Sequence, residues 1–152
     1  MEHYFSKAPG VFSVTSGFAG GGTGGTSYKA VSSGKTDHAE VIEVLYDDKK
    51  TDYESLTRLF FEIHDPTQKD GQGPDLGRQY RSAIFFDTPE QKKIAEKLAA
   101  FLQTQGVAVV TEITMTDKFI PASDYHQGYY SRTGGEPYCH VRKPRDWSAV
   151  TK

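Results

Sequence analysis

Asp37-His38-Ala39-Glu40 gathers three polar, titratable side chains in four positions. Glu40 opens a run rich in Val and Ile, Glu40 to Tyr46, that reads as a strand. On a strand Glu40 shares a face with Ile42. A carboxyl beside such an apolar face is desolvated and its pKa rises. A neutral carboxylic acid near pH 7 can donate a proton. The other reading is an exposed glutamate at a strand end. A metal centre would need more than this cluster, because neither HExxH nor facial-triad spacing accompanies it.

Asp75, Gln79, Tyr80 and Arg81 stand where a long polar segment gives way to a strand. A tyrosine there could aim its hydroxyl into a pocket as a neutral donor, and tyrosine at a strand start is equally a packing choice. Tyr138-Cys139-His140 could hold a reactive thiol, since a protonated histidine lowers a neighbouring thiol pKa. A small buried hydrophobe is the alternative fate of a lone cysteine. Gly20 to Gly25 has five glycines in six positions and must be a loop. It does not make a phosphate cradle: Ser33-Gly34-Lys35-Thr36 ends like a P-loop, but the glycine required at position 29 is lysine.

These groups must be carried by a single domain of 152 residues, 36% of them apolar. Eighteen basic and twenty acidic side chains leave a net charge of −2, which gives no electrostatic footprint for nucleic acid. No apolar run is long enough for a membrane span, and Met1 to Lys7 has no stretch like that of a signal peptide. One cysteine excludes an intrachain disulfide and a CxxC metal site. A cytoplasmic protein is the simplest expectation.

The spacing predicts a helix end over 2–7 and a strand over 11–18, with Phe12, Val14, Ser16 and Phe18 on one face. After the Glu40 strand, Thr51 and Glu54 fit a capping box before the stripe Leu56, Leu59, Phe60, Ile63, which Asp65-Pro66 ends. Residues 66–80 read as a long loop. A strand over 81–86 leads to Thr88-Pro89-Glu90-Gln91, a helix start, and to the stripe Ile94, Leu98, Phe101, Leu102. A fourth strand is expected over 107–113. Alternating strands and helices without a Rossmann repeat indicate an α/β or α+β two-layer sandwich. The domain is expected over 1–141, with a partly ordered tail over 142–152.

Several segments together resemble one family. They are Gly17-Phe18-Ala19-Gly20-Gly21, Tyr28, and Gly34-Lys35-Thr36-Asp37-His38-Ala39-Glu40. With them stand Phe60 to Gln68, Asp75 to Ser82 and Tyr125-His126-Gln127. In order and spacing, from about Glu2 to Cys139, they resemble the peptide methionine sulfoxide reductase A family. The resemblance implies a split βαβ, ferredoxin-like sheet with added helices and a long C-terminal coil. It implies reduction of methionine S-sulfoxide, free or in proteins, by a cysteine nucleophile without metal or organic cofactor. By resemblance, Glu40 is the acid at the sulfoxide oxygen, Tyr28 and Tyr80 are the hydroxyls that hold it, and Asp75 is the nearby carboxylate. Cys139 matches the resolving cysteine, which leaves a disulfide for thioredoxin to reduce. A monomer, without nucleic acid or membrane, is expected.

One departure accompanies the match. The family's nucleophile lies in a Gly-Cys-Phe-Trp motif at the start of the first helix. Here Met1-Glu2-His3-Tyr4-Phe5 resembles the next residues of that helix, so the motif and the strand before it are not among these residues. Three readings follow. The sequence begins within a longer protein; or a non-catalytic relative binds oxidised-methionine peptides through Tyr28, Glu40 and Tyr80; or Cys139 is itself the nucleophile. In the last case a sulfenic acid would have no partner thiol in the chain.

Overall fold

The structure, a computed structural model, describes all residues except 23–27, 34, 125–126, 129–131, 136–139 and 151–152, and omits the side chains of Tyr28 and Ser32. A single helical turn, α1 (Glu2–Phe5), leads into β1 (Val11–Ala19). A short helix, α2 (Tyr28–Ser32), separates β1 from its antiparallel partner β2 (Ala39–Tyr46). Helix α3 (Tyr53–Ile63) follows, and then a two-residue hairpin, β3 (Gly71–Gln72) and β4 (Asp75–Leu76). Strand β5 (Ala83–Phe86) runs parallel to β6 (Glu112–Met115), with α4 (Pro89–Thr104) as the crossover between them. A short β7 (Ile120–Pro121) closes on β1. This is the α/β sandwich with added helices that the sequence indicates.

The helices form one layer and the strands the other. Leu56, Phe60, Phe61 and Ile63 of α3 pack with Leu98, Ala99 and Leu102 of α4, and Val14, Ile42, Val44, Ile84 and Ile113 close on them from the strands. Residues at i, i+4 and i+7 of α3 thus bury one stripe, as a 3.6-residue period requires. Burying one such aliphatic or aromatic side chain contributes roughly 1.5–3 kcal/mol.

Several local expectations shift by a residue or more. Phe12 is 71% exposed, because the β1–β2 register slips between Val11 and Ser13 and leaves it as the extra residue of a bulge. The N-cap of α3 is Asp52, whose carboxylate accepts from Ser55 N at 2.7 Å, and not Thr51. Thr88 does cap α4, accepting from Gln91 N at 3.2 Å. Residues 107–111 are not strand: Val110 N donates to Pro66 O at 2.8 Å, outside any ladder. The long segment 66–80 contains the β3–β4 hairpin and a 3-10 turn at Arg78–Tyr80.

Between β2 and β5 lies a cavity of about 660 Å³. Every residue from Glu40 to Tyr46 lines it, as does every residue from Tyr80 to Phe85. A strand that meets a space face-on presents alternate residues; a continuous run means that it meets the space with its edge. β2 pairs only with β1 and β5 only with β6 among the described ladders, so both edges facing the cavity carry no ladder partner there. Leu56 and Phe60 form an apolar wall behind it.

His64, directly after α3, lies against this cavity and is buried. Its Nδ1 donates to Phe60 O (2.5 Å) and its Nε2 accepts from the Ser82 hydroxyl (2.7 Å), which Thr111 Oγ1 meets at 2.8 Å. Both ring nitrogens are satisfied in the neutral form, and burial holds the imidazole pKa down to about 4. The unfolded chain therefore binds more protons below the ordinary histidine value of 6.5. Stability from this group is complete above that value and falls as pH drops toward 4. We expect the chain to lose about 3 kcal/mol more between pH 7 and pH 4 than a His64→Gln variant, on the linkage relation. Urea unfolding at both pH values measures it, and equal losses would remove His64 as the acid-sensitive group.

Candidate active site

Glu40 is the second residue of β2 and faces Phe18 across the β1–β2 ladder. Ala19 opposes Ala39 beside it, and both are buried. Two small side chains let the strands close tightly where the site begins. Glu40 lines the cavity together with Tyr80 and is exposed to solvent, as the reading of a glutamate at a strand end had it. Its pKa is raised, first by desolvation and then by the negative charge of Asp75. Glu40 and Asp75 are thus brought into one electrostatic neighbourhood although 35 positions separate them in the sequence. The effect enlarges the protonated fraction of Glu40 at any given pH.

Asp75 sits opposite Gln72 in the β3–β4 hairpin. Gly77 follows with φ +132°, a conformation open to glycine, and starts the turn Arg78–Tyr80. Tyr80 N donates to Gly77 O at 3.0 Å and fixes the turn. Arg78 then ties this loop to the approach of β2: its Nε donates to Asp37 at 3.0 Å, and it pairs with Asp70 at 3.4 Å and Glu112 at 3.5 Å. These groups are solvent-exposed, so each pair is worth little and their value lies in register. Arg81 is the buried member, donating to Glu112 at 2.8 Å and to Arg78 O at 3.0 Å.

The other predicted site residues fall differently. Tyr28 opens α2, and its side chain lies outside the described atoms. Cys139 lies outside the described residues, as do Tyr125 and His126. His140, next to Cys139, does line the cavity, and burial holds its imidazole pKa down to about 3. Among the described residues no group of three or more His, Cys, Asp or Glu converges on a metal position.

Sequence reasoning did not foresee the hydrogen bonds that wire these loops together. Gln72 is buried, accepts from Asp65 N at 2.9 Å and donates to Asp65 O at 3.3 Å. Gln68 accepts from Gly73 N at 2.7 Å, and Asp65 caps Thr67 through its amide (2.9 Å) and hydroxyl (2.6 Å). The Asp-Pro-Thr spacing was a turn signal that could have shown the last of these. Asp117 accepts from Gly20 N at 3.1 Å and Gly22 N at 3.2 Å, and so fixes the chain where it leaves β1. A side chain at Gly21 would run into the buried His38 ring, which explains a glycine there. Gln127 reads the β1 backbone at Ser16 in both directions at 2.8 Å. No local pattern announces these long-range contacts.

A family model described as peptide methionine sulfoxide reductase matches residues 1–152. The chain is 46% identical over 141 residues to a peptide methionine sulfoxide reductase MsrA of Haloquadratum walsbyi, covering 92% of this chain and 81% of the relative. It is 43% identical over 139 residues to the MsrA of Nautilia profundicola, covering 91% and 80%. Among solved structures, Saccharomyces cerevisiae Mxr1 in reduced form superposes with a TM-score of 0.79 at 34% identity, over 90% of this chain and 80% of that one. Mxr1 in complex with Trx2 gives 0.57 at 25% identity, over 88% and 73%.

The wiring carries a prediction. Gln72→Ala removes both bonds to the Asp65 backbone, and Asp65 O keeps only the long bond from Gln68 N at 3.5 Å. We expect a loss of about 1–3 kcal/mol of stability, two bonds at about 0.5–1.5 kcal/mol each. The urea midpoint measures it; a change within a few tenths would mean that the hairpin stands without Gln72.

Proposed function

Because the chain belongs to the peptide methionine sulfoxide reductase A family, we propose that the cavity mouth is its methionine S-sulfoxide site and that Glu40 is the acid there. The reaction is reduction of methionine sulfoxide to methionine by thiol chemistry. A thiol sulfur attacks the sulfoxide sulfur while Glu40 gives its proton to the oxygen, with Tyr80 and Tyr28 as hydroxyl donors to that oxygen. Collapse releases methionine and leaves the oxygen on the attacking sulfur as a sulfenic acid. A second thiol, assigned to Cys139, condenses with it; a disulfide forms and water leaves. A thioredoxin dithiol then reduces the disulfide by exchange. The structure of the yeast relative with Trx2 supports that partner.

The observation that carries this reading is the raised pKa of Glu40 beside Tyr80 at the cavity, with Asp75 as the second cause of the shift. A carboxyl that remains protonated can neutralise a developing oxyanion, and an ordinary carboxylate cannot. Asp75 serves by its charge, which adds to desolvation in raising the Glu40 pKa. No helix of the described residues is long and apolar enough to cross a membrane. The cytoplasm is the proposed location, since thioredoxin keeps thiols reduced there.

A second reading rests on one observation: Cys139 is the single thiol among the 152 residues. A pocket with Glu40 and Tyr80 but without an attacking thiol would bind sulfoxide peptides and leave them unchanged. The 152-residue chain, incubated with a methionine-S-sulfoxide peptide and dithiothreitol, separates the two by mass spectrometry of the peptide. Bound and unreduced peptide favours the second reading for these residues; methionine peptide lost in a Cys139→Ser variant would make Cys139 the attacking thiol.

For the protein from its native source we expect reduction of the peptide, slowed tenfold or more by Glu40→Gln, on the order of one general-acid contribution. The rate should also fall as pH rises through the raised Glu40 pKa, because the donor form is then lost. An unchanged rate in the variant would take Glu40 out of the mechanism.

A further inference from the structure

Residues 141–150 form neither helix nor strand, yet they lie across the end of α3 as a strap. The fastening point is Glu62, a carboxylate on the buried side of α3 that is only 7% exposed. One of its oxygens accepts from Arg142, with Nε and a terminal nitrogen both at 2.9 Å. The other accepts from Trp147 Nε1 at 2.9 Å. Lys143 N donates to Glu62 O at 2.6 Å, and Arg145 Nε donates to Phe61 O at 2.9 Å. The Trp147 ring is buried, 5.8 Å from the Phe101 ring. A buried carboxylate is costly unless it is paired and hydrogen-bonded. Both of its oxygens here are taken by the strap, so Glu62 suits this position only while the strap is docked.

The residue from which the strap sets out is His140. It lines the cavity with its ring half-buried, while the next residue, Val141, turns outward and is 63% exposed. Only Val141 separates His140 from the anchored Arg142, a span of at most about 7 Å for extended chain. His140 also belongs to one end of the cavity. The His64 ring acts on it, and His64 is bonded to Ser82, two residues beyond Tyr80. The Arg78–Asp37 pair brings that end of β5 beside the head of β2, where Glu40 stands. Tyr46 and Asp87, which both act on Tyr53, mark the other end.

We infer that His140 is a wall of the sulfoxide site, and that Glu62, through Arg142 and Trp147, is the positioning residue that holds it there. The inference rests on the reading of this cavity as the methionine S-sulfoxide site. The side chain of methionine sulfoxide has no net charge, and a neutral imidazole meets it with an uncharged surface. Burial, and after it the N-terminal ammonium and the His64 ring, keep His140 neutral. An imidazolium in the same cavity would favour the carboxylate form of Glu40 and so oppose the proton transfer proposed for it. With the latch open, the strap loses its hold on α3 and the ring leaves the wall for water.

Two measurements test the inference. In the 152-residue chain, NMR follows the His140 ring protons between pH 8 and pH 5, assigned by their loss in His140→Gln. We expect the parent ring not to titrate in that range. Arg142→Ala opens the latch from its exposed side and should move the midpoint up toward the ordinary 6.5. Glu62→Ala should act in the same direction, and Arg142→Lys, which can remake one bond, should restore part of the parent behaviour. Trp147 is the only tryptophan, so its emission should shift to the red as the latch opens. Ile94→Ala, a truncation on α4 at the border of the core, should lower stability and leave both readouts unchanged.

The second measurement uses the protein from its native source, with dithiothreitol as reductant. His140→Ala and Arg142→Ala should each raise KM for a methionine-S-sulfoxide peptide roughly tenfold and leave kcat nearly unchanged, the mark of a lost binding contact. A parent ring that titrates near 6.5, or latch variants that titrate like the parent, would overturn the latch. So would an equal change in Ile94→Ala. An active protein whose KM is unmoved by His140→Ala would take His140 out of the site wall. A protein that reduces no sulfoxide, with the titrations as expected, would count against the proposed function and leave the latch standing.

Discussion

The neutral imidazole of His64 joins the two layers of the molecule. It takes the carbonyl of Phe60 at the end of α3 on one side and the Ser82 hydroxyl, at the entrance to β5, on the other. Thr111, just ahead of β6, completes the chain of hydrogen bonds. The next residues continue the join, since Pro66 O accepts from Val110 N. One short segment thereby sets how the helix layer sits against the parallel pair, and hence the spacing of β2 from β5 across the cavity. Burial disfavours the charged form of the ring, and the depressed pKa is the energetic expression of that burial.

The site itself is built from turns, and turns need other supports than ladders. The β3–β4 hairpin has two residues in each strand, too little to persist alone in water. Its position is borrowed from side chains that bond to backbone: Gln72 to Asp65, and Gln68 to Gly73. The same device recurs at Asp117 with Gly20 and Gly22, and at Gln127 with Ser16. Such bonds hold a loop in one place without filling the space in front of it. That leaves the mouth open for a ligand while the charge of Asp75 adds to the desolvation that raises the Glu40 pKa.

Much of this was legible in the residues, for identifiable reasons. Helices α3 and α4 follow from 3.6-residue stripes and their punctuation, Asp65-Pro66 and Thr88-Pro89. The desolvation that raises the Glu40 pKa follows from its place on a Val- and Ile-rich strand, although the side chain keeps the exposure of a strand-end glutamate. The pairing of that acid with Asp75 does not follow from any local pattern and came only from the family resemblance. Where local reasoning failed, tertiary contact had overridden it. Residues 107–111 are rich in valine but bond to Pro66 instead of a neighbouring strand. Phe12 continues an alternating pattern, yet a bulge turns it outward. Residues 142–150 are polar and proline-containing and look like a tail, because the partner that orders them lies about 80 residues earlier.

That partner is the C-terminal end of α3, and helix-end physics explains why the two belong together. The last carbonyls of a helix lack intrahelical donors. In α3 three of the last four find a donor from outside the ladder: Phe60 O from the His64 ring, Phe61 O from Arg145, Glu62 O from Lys143 N. The last turn has no basic residue of its own. It carries Glu62 instead, at the end where the helix dipole disfavours negative charge. Arg142 and Arg145 supply the missing positive charge from the strap. The cap of α3 is therefore written at the far end of the chain, and removing the strap would expose two backbone carbonyls and strand a buried carboxylate. On this account residues 141–150 are a structural part of α3, and the cavity wall that α3 supplies through Leu56 and Phe60 depends on them.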